Sequence, residues 1–585
     1  MCGIFGCLSN NDNIALLMLK GLKRLEYRGY DSCGMAFLDN HVINVKKDVG
    51  EIDRVNDKVN FLELKGHLGI AHTRWSTTGK VTKQNSHPHQ SCDGNISIVH
   101  NGIIENYEEI KQVLTVIGHK FVSNTDSEVI AHYFEEKLKN KSINEACIDF
   151  IKEIKGTFAI LLLKQDEDKI YALKRDSPLA VGICKDKNIL ASDIHAFSNL
   201  TNKAIFFDND EFGIITKDSY ELFNKDGKAI EKLIKSFEWK EEETGKKKYK
   251  HFMMKEIEEE PKVVDRLLRS LDYEQKNDFG KLIELIKKSK KIIFAACGTS
   301  YHASLLGAYY LHKIGVEVQT LIASEFKHYA NVDKDTLVIA ISQSGETMDV
   351  IDALNYAKEK NAKIVSLVNV PYSTIQRMSE LSLNILAGQE ISVASTKAFV
   401  NQTVLLLRIA QEFGYGVNLK NLSAKLKNLF QQKEKIRKIA KKISQSNDAY
   451  IIGRGLTYPV AREIALKIKE ISYIHAEGMM GGELKHGTLA LIDDGTPVIS
   501  LISNSDEDII SNTREVEARG ADITIITNNP TFKEQENVIY VNTGNDGKFG
   551  LLAATAGQLL AYHIADVLGR PIDKPKNLSK SISVR

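Results

Sequence analysis

The sequence predicts a multidomain α/β protein. Packed antiparallel sheets with flanking helices come first, and two parallel-sheet domains follow. Three observations predict this. Short apolar strands crowd roughly the first 235 residues without regular strand–helix alternation. From about Lys290 the pattern becomes strand, loop, helix. That pattern then runs twice at a nearly constant offset, as a duplicated domain would.

The totals set the frame. A length of 585 residues allows roughly three or four domains, and 43% apolar with 26% charged residues is ordinary for globular protein. The 78 basic and 76 acidic residues nearly cancel, without a long one-sign block, which argues against a nucleic-acid partner. The seven cysteines (2, 7, 33, 92, 147, 184 and 297) lack CxxC spacing and fit a reducing compartment better than a disulfide framework. No basic stretch followed by an apolar run opens the chain, and no uninterrupted apolar run is long enough to cross a membrane. The expectation is a cytoplasmic protein with no membrane partner. The stretch 551–568 comes closest to a span, but Gln558, His563 and Asp566 interrupt it, so it reads as a buried helix.

In the first region, strands are read at 69–72, 96–100, 158–163 and 189–192, and helices at 106–114 and 127–138. Segment 239–248 is nearly all charged and reads as an exposed connector. The repeat pairs 291–296 with 449–453, 335–341 with 495–501, and 362–367 with 521–526. By composition 571–585 is a tail. The expected boundaries are 1–237, a linker with connecting helices at 238–280, parallel-sheet domains at 281–430 and 431–570, and the tail.

Chemistry begins at Cys2. Removing Met1 would place a thiol and a free α-amine on one residue. An α-amine titrates near pH ~8, so it can take the proton of its own thiol without a histidine. The alternative is a small apolar residue that happens to sit near the start. Three segments offer partners. Arg74 follows a strand and suits a carboxylate, or is a surface arginine. Asn101 and Gly102 offer an amide and a backbone N–H for an oxyanion, or form a turn. Asp126 suits an ammonium group, or caps the helix after it. Around His87-Pro88-His89 a surface turn is expected, and Cys7 and Cys33 read as core.

The set Cys2-Gly3-Ile4-Phe5-Gly6, His72-Thr73-Arg74-Trp75, His100-Asn101-Gly102-Ile103-Ile104-Glu105-Asn106 and Thr125-Asp126 resembles the glutamine amidotransferases with an N-terminal cysteine nucleophile. The resemblance implies an αββα sandwich of the N-terminal-nucleophile hydrolase type. It implies Cys2 as nucleophile on the glutamine amide and Asn101 with Gly102 as oxyanion hole. Arg74 would hold the α-carboxylate and Asp126 the α-amine.

In the second region Ser342-Gln343-Ser344-Gly345-Glu346-Thr347 follows a strand and opens a helix, a place suited to phosphate. An ordinary helix cap is the alternative. Cys297-Gly298-Thr299-Ser300 holds the corresponding turn after the preceding strand. No GxxxxGK is present, so no nucleoside triphosphate is indicated.

This half resembles a pair of doubly wound sugar isomerase domains. With the first region, it is similar to the amidotransferase family that makes glucosamine 6-phosphate from fructose 6-phosphate and L-glutamine. The segments 393–399, 482–487 and 577–581 share in the match. The resemblance implies Ser300, Ser342, Gln343, Ser344 and Thr347 as sugar-phosphate ligands and Lys580 as the Schiff-base lysine. It implies Glu470 as the C1–C2 proton carrier and Lys467 as its helper near the sugar oxygens. His486 would open the ring from a neighbouring subunit, hence a homodimer. Spacing independently puts Lys467 and Glu470 on one helix face, where a surface ion pair is the alternative. A Schiff-base lysine needs shelter, so the tail is expected to fold back.

Ammonia is expected to pass internally between the two sites, with Trp75 as its gate. No metal, nicotinamide or pyridoxal cofactor is indicated. The chain departs from the family at Ser579, usually Ala, and Thr488, usually Pro. The rival readings are a different amidotransferase and a phosphosugar-binding regulator that has lost catalysis.

Overall fold

The computed structural model describes residues 2–11, 13–237, 245–504, 506–543 and 545–581. Of the charged connector, 239–244 lies outside the described residues. The described residues separate into two compact units, 2–237 with 581 and 245–580.

The first unit holds two antiparallel sheets. In one, the strands run in the order Lys235–Ser236, Lys203–Phe206, Ala180–Ile183, Lys187–Ala191, Gly3–Ser9, Leu68–Arg74, Ser32–Asp39 and Val42–Val49. In the other, the order is Ala229–Ile230, Tyr220–Phe223, Glu211–Ile215, Ile170–Arg175, Gly156–Lys164, Ile96–Ile104 and His89–Gln90. Alternation builds the layers, because successive strand residues face opposite ways. Ile4 and Leu8 pack with Val99, Leu161 and Ala172 of the facing sheet. Phe5 points the other way, so closely against helix Ala15–Arg24 that a Cβ on Gly21 would lie 2.4 Å from its ring. Helices Tyr107–Val116, Glu128–Lys137 and Ile143–Glu153 cover the outer face of the second sheet through Leu114, Ile130, Phe134 and Phe150. The result is four layers, helix–sheet–sheet–helix. The two helices expected at 106–114 and 127–138 are these first two, displaced by one or two residues.

The second unit holds two parallel five-stranded sheets. One runs Gln319–Ile322, Lys291–Ala296, Thr336–Ser342, Lys363–Val368, Leu381–Asn384. The other runs His475–Met480, Asp448–Gly453, Pro497–Ile502, Asp522–Thr527, Val538–Tyr540. The strand order is the same in both, which is the duplication read from the sequence. The central strands are buried almost throughout, as helices on both faces require. One core runs through both copies. It joins Phe294 and Ile339 of the first sheet to Ile451 and Ile499 of the second through Leu406, Ile464 and Leu559. Helix Phe549–Val567 is predominantly apolar and buried along most of its length there. Among the described residues no helix is long and apolar enough to cross a membrane.

The described part of the tail is not free. Asp573 accepts the N–H groups of Phe252 (2.9 Å) and Met253 (3.0 Å), its carbonyl accepts from Val393 (3.0 Å), and Lys576 N–H donates to the Tyr473 hydroxyl (2.8 Å). Composition alone suggested a solvated tail, but backbone pairing and an aspartate fasten it.

Helix Phe252–Asp272 also buries carboxylates. Burial, with the charge of Glu390 nearby, raises Glu256 to about 8. Burial likewise raises Glu260 from the ordinary 4.5 to about 8, although Thr555 donates to it at 2.6 Å. These carboxyls hold protons more tightly folded than unfolded. Their contribution to stability is full below the unfolded value of about 4.5 and is lost as pH rises through the folded value. Between about pH 5 and 9 the unit's thermal midpoint should therefore fall, and Glu260→Gln should flatten the fall in scanning calorimetry. A midpoint that rises across this interval would contradict the assignment.

Candidate active sites

In the first unit, strand register assembles the cluster. Gly3 pairs with Thr73, so Cys2 lies beside the end of the strand Leu68–Arg74. The Cys2 thiol donates to the Trp75 carbonyl and accepts the Trp75 N–H, both at 3.3 Å. The Cys2 carbonyl accepts from Arg28 Nε at 3.1 Å and from Asn101 Nδ2 at 3.0 Å. Burial pushes the thiol up, against the opposing pull of the Trp75 N–H and the charges of Arg74 and Arg28. A thiol so raised needs a base to react near neutrality.

The suggested oxyanion donors sit inside a strand, not in a turn. Asn101 spends one amide hydrogen on the Cys2 carbonyl and retains a second. Its orientation is set by His72, whose Nε2 lies 3.1 Å from Asn101 Oδ1 and 2.9 Å from the His100 carbonyl. Burial lowers His72 to about 3, so this imidazole is neutral and Nε2–H is the donor. Gly102 has φ +135°, and a Cβ there would meet the Thr157 carbonyl oxygen at 2.0 Å, so only glycine fits.

Arg74 is buried rather than a surface residue. Its Nη2 donates to Thr78 O, while Nη1 is buried without a partner. A guanidinium nitrogen held in this way suits a carboxylate. Asp126 does not cap the following helix. Its Oδ2 accepts the Ile104 N–H at 2.8 Å, and the N-cap Ser127 makes no side-chain cap bond. Trp75 is half-buried and meets Tyr30 edge-on at 5.5 Å.

His87 and His89 correct the surface-turn expectation. Both are buried, with His87 stacked on His72 at 4.0 Å and edge-on to His89 at 4.5 Å. Cys7 and Cys33 are core, as read.

In the second unit, Ser342 ends a strand and Thr347 precedes helix Met348–Glu359. Ser342 Oγ accepts the Gly345 N–H at 3.0 Å and lies 3.2 Å from Thr347 Oγ1. Ser344 Oγ accepts the Glu346 N–H at 3.1 Å, and Gln343 is half-buried. Thr347 makes no side-chain cap bond, so the ordinary-cap alternative does not describe it. Gly345, at φ +67°, lets the loop pass Ser373, whose Oγ would lie 2.0 Å from a Cβ. Ser300 opens the helix Gly298–His312 and accepts from Gln402 Nε2 at 2.9 Å.

Lys467 and Glu470 share a helix face, but the pair is no surface bridge. Lys467 is fully buried and donates to Glu470 at 2.6 Å and to Thr299 Oγ1 at 3.0 Å. Burial works to lower Lys467, yet Glu463, Glu470 and Glu390 outweigh it, and the amine is raised and stays charged. Lys580 is 3% exposed and bridges to the fully buried Glu390 at 2.5 Å. Burial would raise Glu390, but Lys580 and donors from Thr396 and Ser395 hold it down at about 2. Glu390 thus couples electrostatically to both lysines. His486 is exposed in the turn Gly481–His486 and does not join this cluster.

Sequence reasoning missed Arg28, His72 and Glu390. Arg28 is buried against Asp193, 3.3 Å away and 165 residues later, a pairing no local pattern signals. Glu390 stands just ahead of segment 393–399, which offered a signal without a role.

A glutamine amidotransferase domain matches residues 72–199, and SIS domains match 285–410 and 442–567. A glutamine–fructose-6-phosphate aminotransferase (isomerizing) of Thermococcus kodakarensis is 40% identical over 606 residues, covering all of both chains. The chain belongs to the glutamine–fructose-6-phosphate aminotransferase (isomerizing) family. Members from Clostridium tetani, at 40%, and Sulfolobus acidocaldarius, at 37%, also align over all of both chains. The solved C-terminal domain of the glucosamine-fructose-6-phosphate aminotransferase of Francisella tularensis is 35% identical. It covers 57% of this chain and all of its own, with a TM-score of 0.51.

For a member of this family, the open Nη1 of Arg74 has a direct consequence. Arg74→Ala should raise the KM for glutamine about 100-fold, the loss of one buried charge partner, with a smaller change in kcat. Glutamate release read against glutamine concentration checks this, and an unchanged KM would remove Arg74 from the carboxylate role.

Proposed function

We propose that this chain transfers the amide nitrogen of L-glutamine to fructose 6-phosphate, forming glucosamine 6-phosphate and L-glutamate. The observation that carries the proposal is the cluster of a fixed Cys2 thiol, a spare Asn101 amide hydrogen and an unpartnered Arg74 nitrogen. It lies in a chain that aligns end to end with enzymes of this name. Glutamine chemistry is assigned to residues 1–237, and sugar chemistry to 281–570 with the tail 571–585.

With Met1 removed, the Cys2 α-amine takes the thiol proton. The thiolate attacks the amide carbon, and the negative oxygen is received by Asn101 and Gly102. Ammonia leaves with a proton, and water cleaves the γ-glutamyl thioester to glutamate. Arg74 and Asp126 fix the amino-acid end.

At the second site Ser300, Ser342, Gln343, Ser344 and Thr347 hold the sugar phosphate. Lys580 condenses with the C2 carbonyl of the open ketose, releasing water, and ammonia then displaces the lysine. Glu470 carries a proton from C1 to C2 while the O1 hydroxyl proton passes to the nitrogen, which converts the 2-imine into the 2-amino aldose. Lys467 keeps Glu470 in place. His486 is exposed without a role in its own chain's cluster, which supports its acting on a second copy in a homodimer. Free, dispersed cysteines support a cytoplasmic setting. Trp75, whose backbone grips the nucleophile, is the proposed gate for ammonia.

The test supplies both substrates and follows both products. Glutamate and glucosamine 6-phosphate should form one for one. Lys580→Ala should abolish the amino sugar, by about 1000-fold or more, while glutamate release survives. Glutamate without amino sugar from the unaltered chain would overturn the proposal, leaving a glutaminase joined to a phosphosugar-binding module.

A further inference from the structure

Four potential metal-ligand side chains converge in the first unit, away from Cys2 and unused by the chemistry above. Cys92 lies in the turn between strands His89–Gln90 and Ile96–Ile104. His119 lies in the segment between helices Tyr107–Val116 and Glu128–Lys137, and His132 and Glu135 lie on the second of these helices. We propose that Cys92, His119, His132 and Glu135 form a structural site for a single zinc ion.

The geometry carries this. The Cys92 thiol is 3.7 Å from His119 Nδ1 and 3.4 Å from His132 Nδ1. The two Nδ1 atoms are 3.4 Å apart. Glu135 Oε2 is 3.1 Å from His119 Nδ1 and 3.3 Å from His132 Nδ1. One ligand atom from each residue lies within 4.8 Å of all the others. Ligands about 2.0–2.3 Å from a tetrahedral zinc ion are themselves separated by about 3.3–3.8 Å, so these separations are close to the edges of such a tetrahedron. The donor set of one sulfur, two imidazole nitrogens and one carboxylate oxygen suits zinc better than calcium or magnesium.

The outer ring fits as well. A ligating imidazole usually gives its other N–H to a carboxylate, which fixes the tautomer. His119 Nε2 lies 3.1 Å from Glu136 Oε2, and His132 Nε2 faces Glu128 Oε1 at 3.6 Å. The first contact leaves the His119 Nδ1 lone pair pointing inward. With Zn²⁺ bound, the Cys92 thiol releases its proton to solvent, and one thiolate and one carboxylate balance the double charge. With four protein ligands the site is closed, so its role is structural and not catalytic. It would fasten a strand turn and a helix to the segment that leads into Asp126. Glu128, which faces His132 across 3.6 Å, already holds the N–H groups of Val122 (2.8 Å) and Ser123 (2.7 Å) in that segment.

The sequence reading expected no metal. Cys92 is 27 residues from His119 and 40 from His132, and only the fold brings them together.

The test uses the full-length chain carrying Cys2→Ser, which removes the nucleophile as a competing thiolate. The protein is stripped with a chelator under reducing conditions and titrated with Co²⁺, then Zn²⁺. About one equivalent of Co²⁺ should produce the intense visible bands of a tetrahedral site and a thiolate-to-cobalt charge-transfer band, all displaced by one equivalent of Zn²⁺. Cys92→Ala should abolish the charge-transfer band, and Cys184→Ala should leave it unchanged. Glu135→Gln should keep the band but weaken binding about tenfold or more, so the proposal stays testable even where Cys92→Ala folds poorly. Zinc should also raise the thermal midpoint of the stripped protein by several degrees. No charge-transfer band in the Cys2→Ser protein, or a band that survives in folded Cys92→Ala, would overturn the site.

Discussion

The first unit depends on how the backbone around Cys2 is held. Residue 2 of a chain normally has the freedom of a terminus. Here it is the lead-in to a central strand. Its carbonyl is gripped by Arg28 and Asn101, and its sulfur by both backbone groups of Trp75. Arg28 is itself buried and anchored on the partly buried Asp193, which in turn receives the His195 N–H. Removing Asp193 would leave a buried guanidinium without its counter-charge, so this grip is not easily lost. The residues proposed as nucleophile, oxyanion donors and carboxylate anchor are therefore positioned by strand register and not by loop conformation.

The second unit solves a different problem, how to keep amines and carboxylates out of water yet available. Lys580 and Lys467 each sit against a carboxylate, and Glu390 feels both. Glu390 also accepts the N–H groups of Thr396 and Ala398 at the start of helix Lys397–Glu412, so the helix N-terminus shares its charge. A tail that composition marks as solvated is thereby drawn in by one ion pair and a few backbone bonds. The loop from Ser342 to Thr347, proposed to hold the sugar phosphate, is simpler. Strand end, positive-φ glycine and helix start are contiguous in sequence and need no distant partner.

That contrast explains what could be read in advance. The duplicated sheets were legible because each strand repeats locally, and the loop from Ser342 to Thr347 was legible because its parts are adjacent. Cys2, Arg74, Asn101 and Asp126 were legible only as a set, since each alone has a commoner structural explanation. What escaped is non-local. His87 and His89 flank a proline and locally signal a turn, but both are buried, with His72 from another strand stacked on His87 and His87 edge-on to His89. Glu390 meets Lys580 across 190 residues, and Arg28 meets Asp193 across 165. Sequence spacing carries no trace of such pairs.

The most direct test of the central claim is covalent. A glutamine analogue with a diazoketone in place of the side-chain amide carries its own electrophile to whichever thiol attacks glutamine. Peptide mass spectrometry after inactivation should find one adduct, on Cys2, with the other six of the seven cysteines unmodified. An adduct on another cysteine, or loss of glutamate release with Cys2 unmodified, would contradict the account.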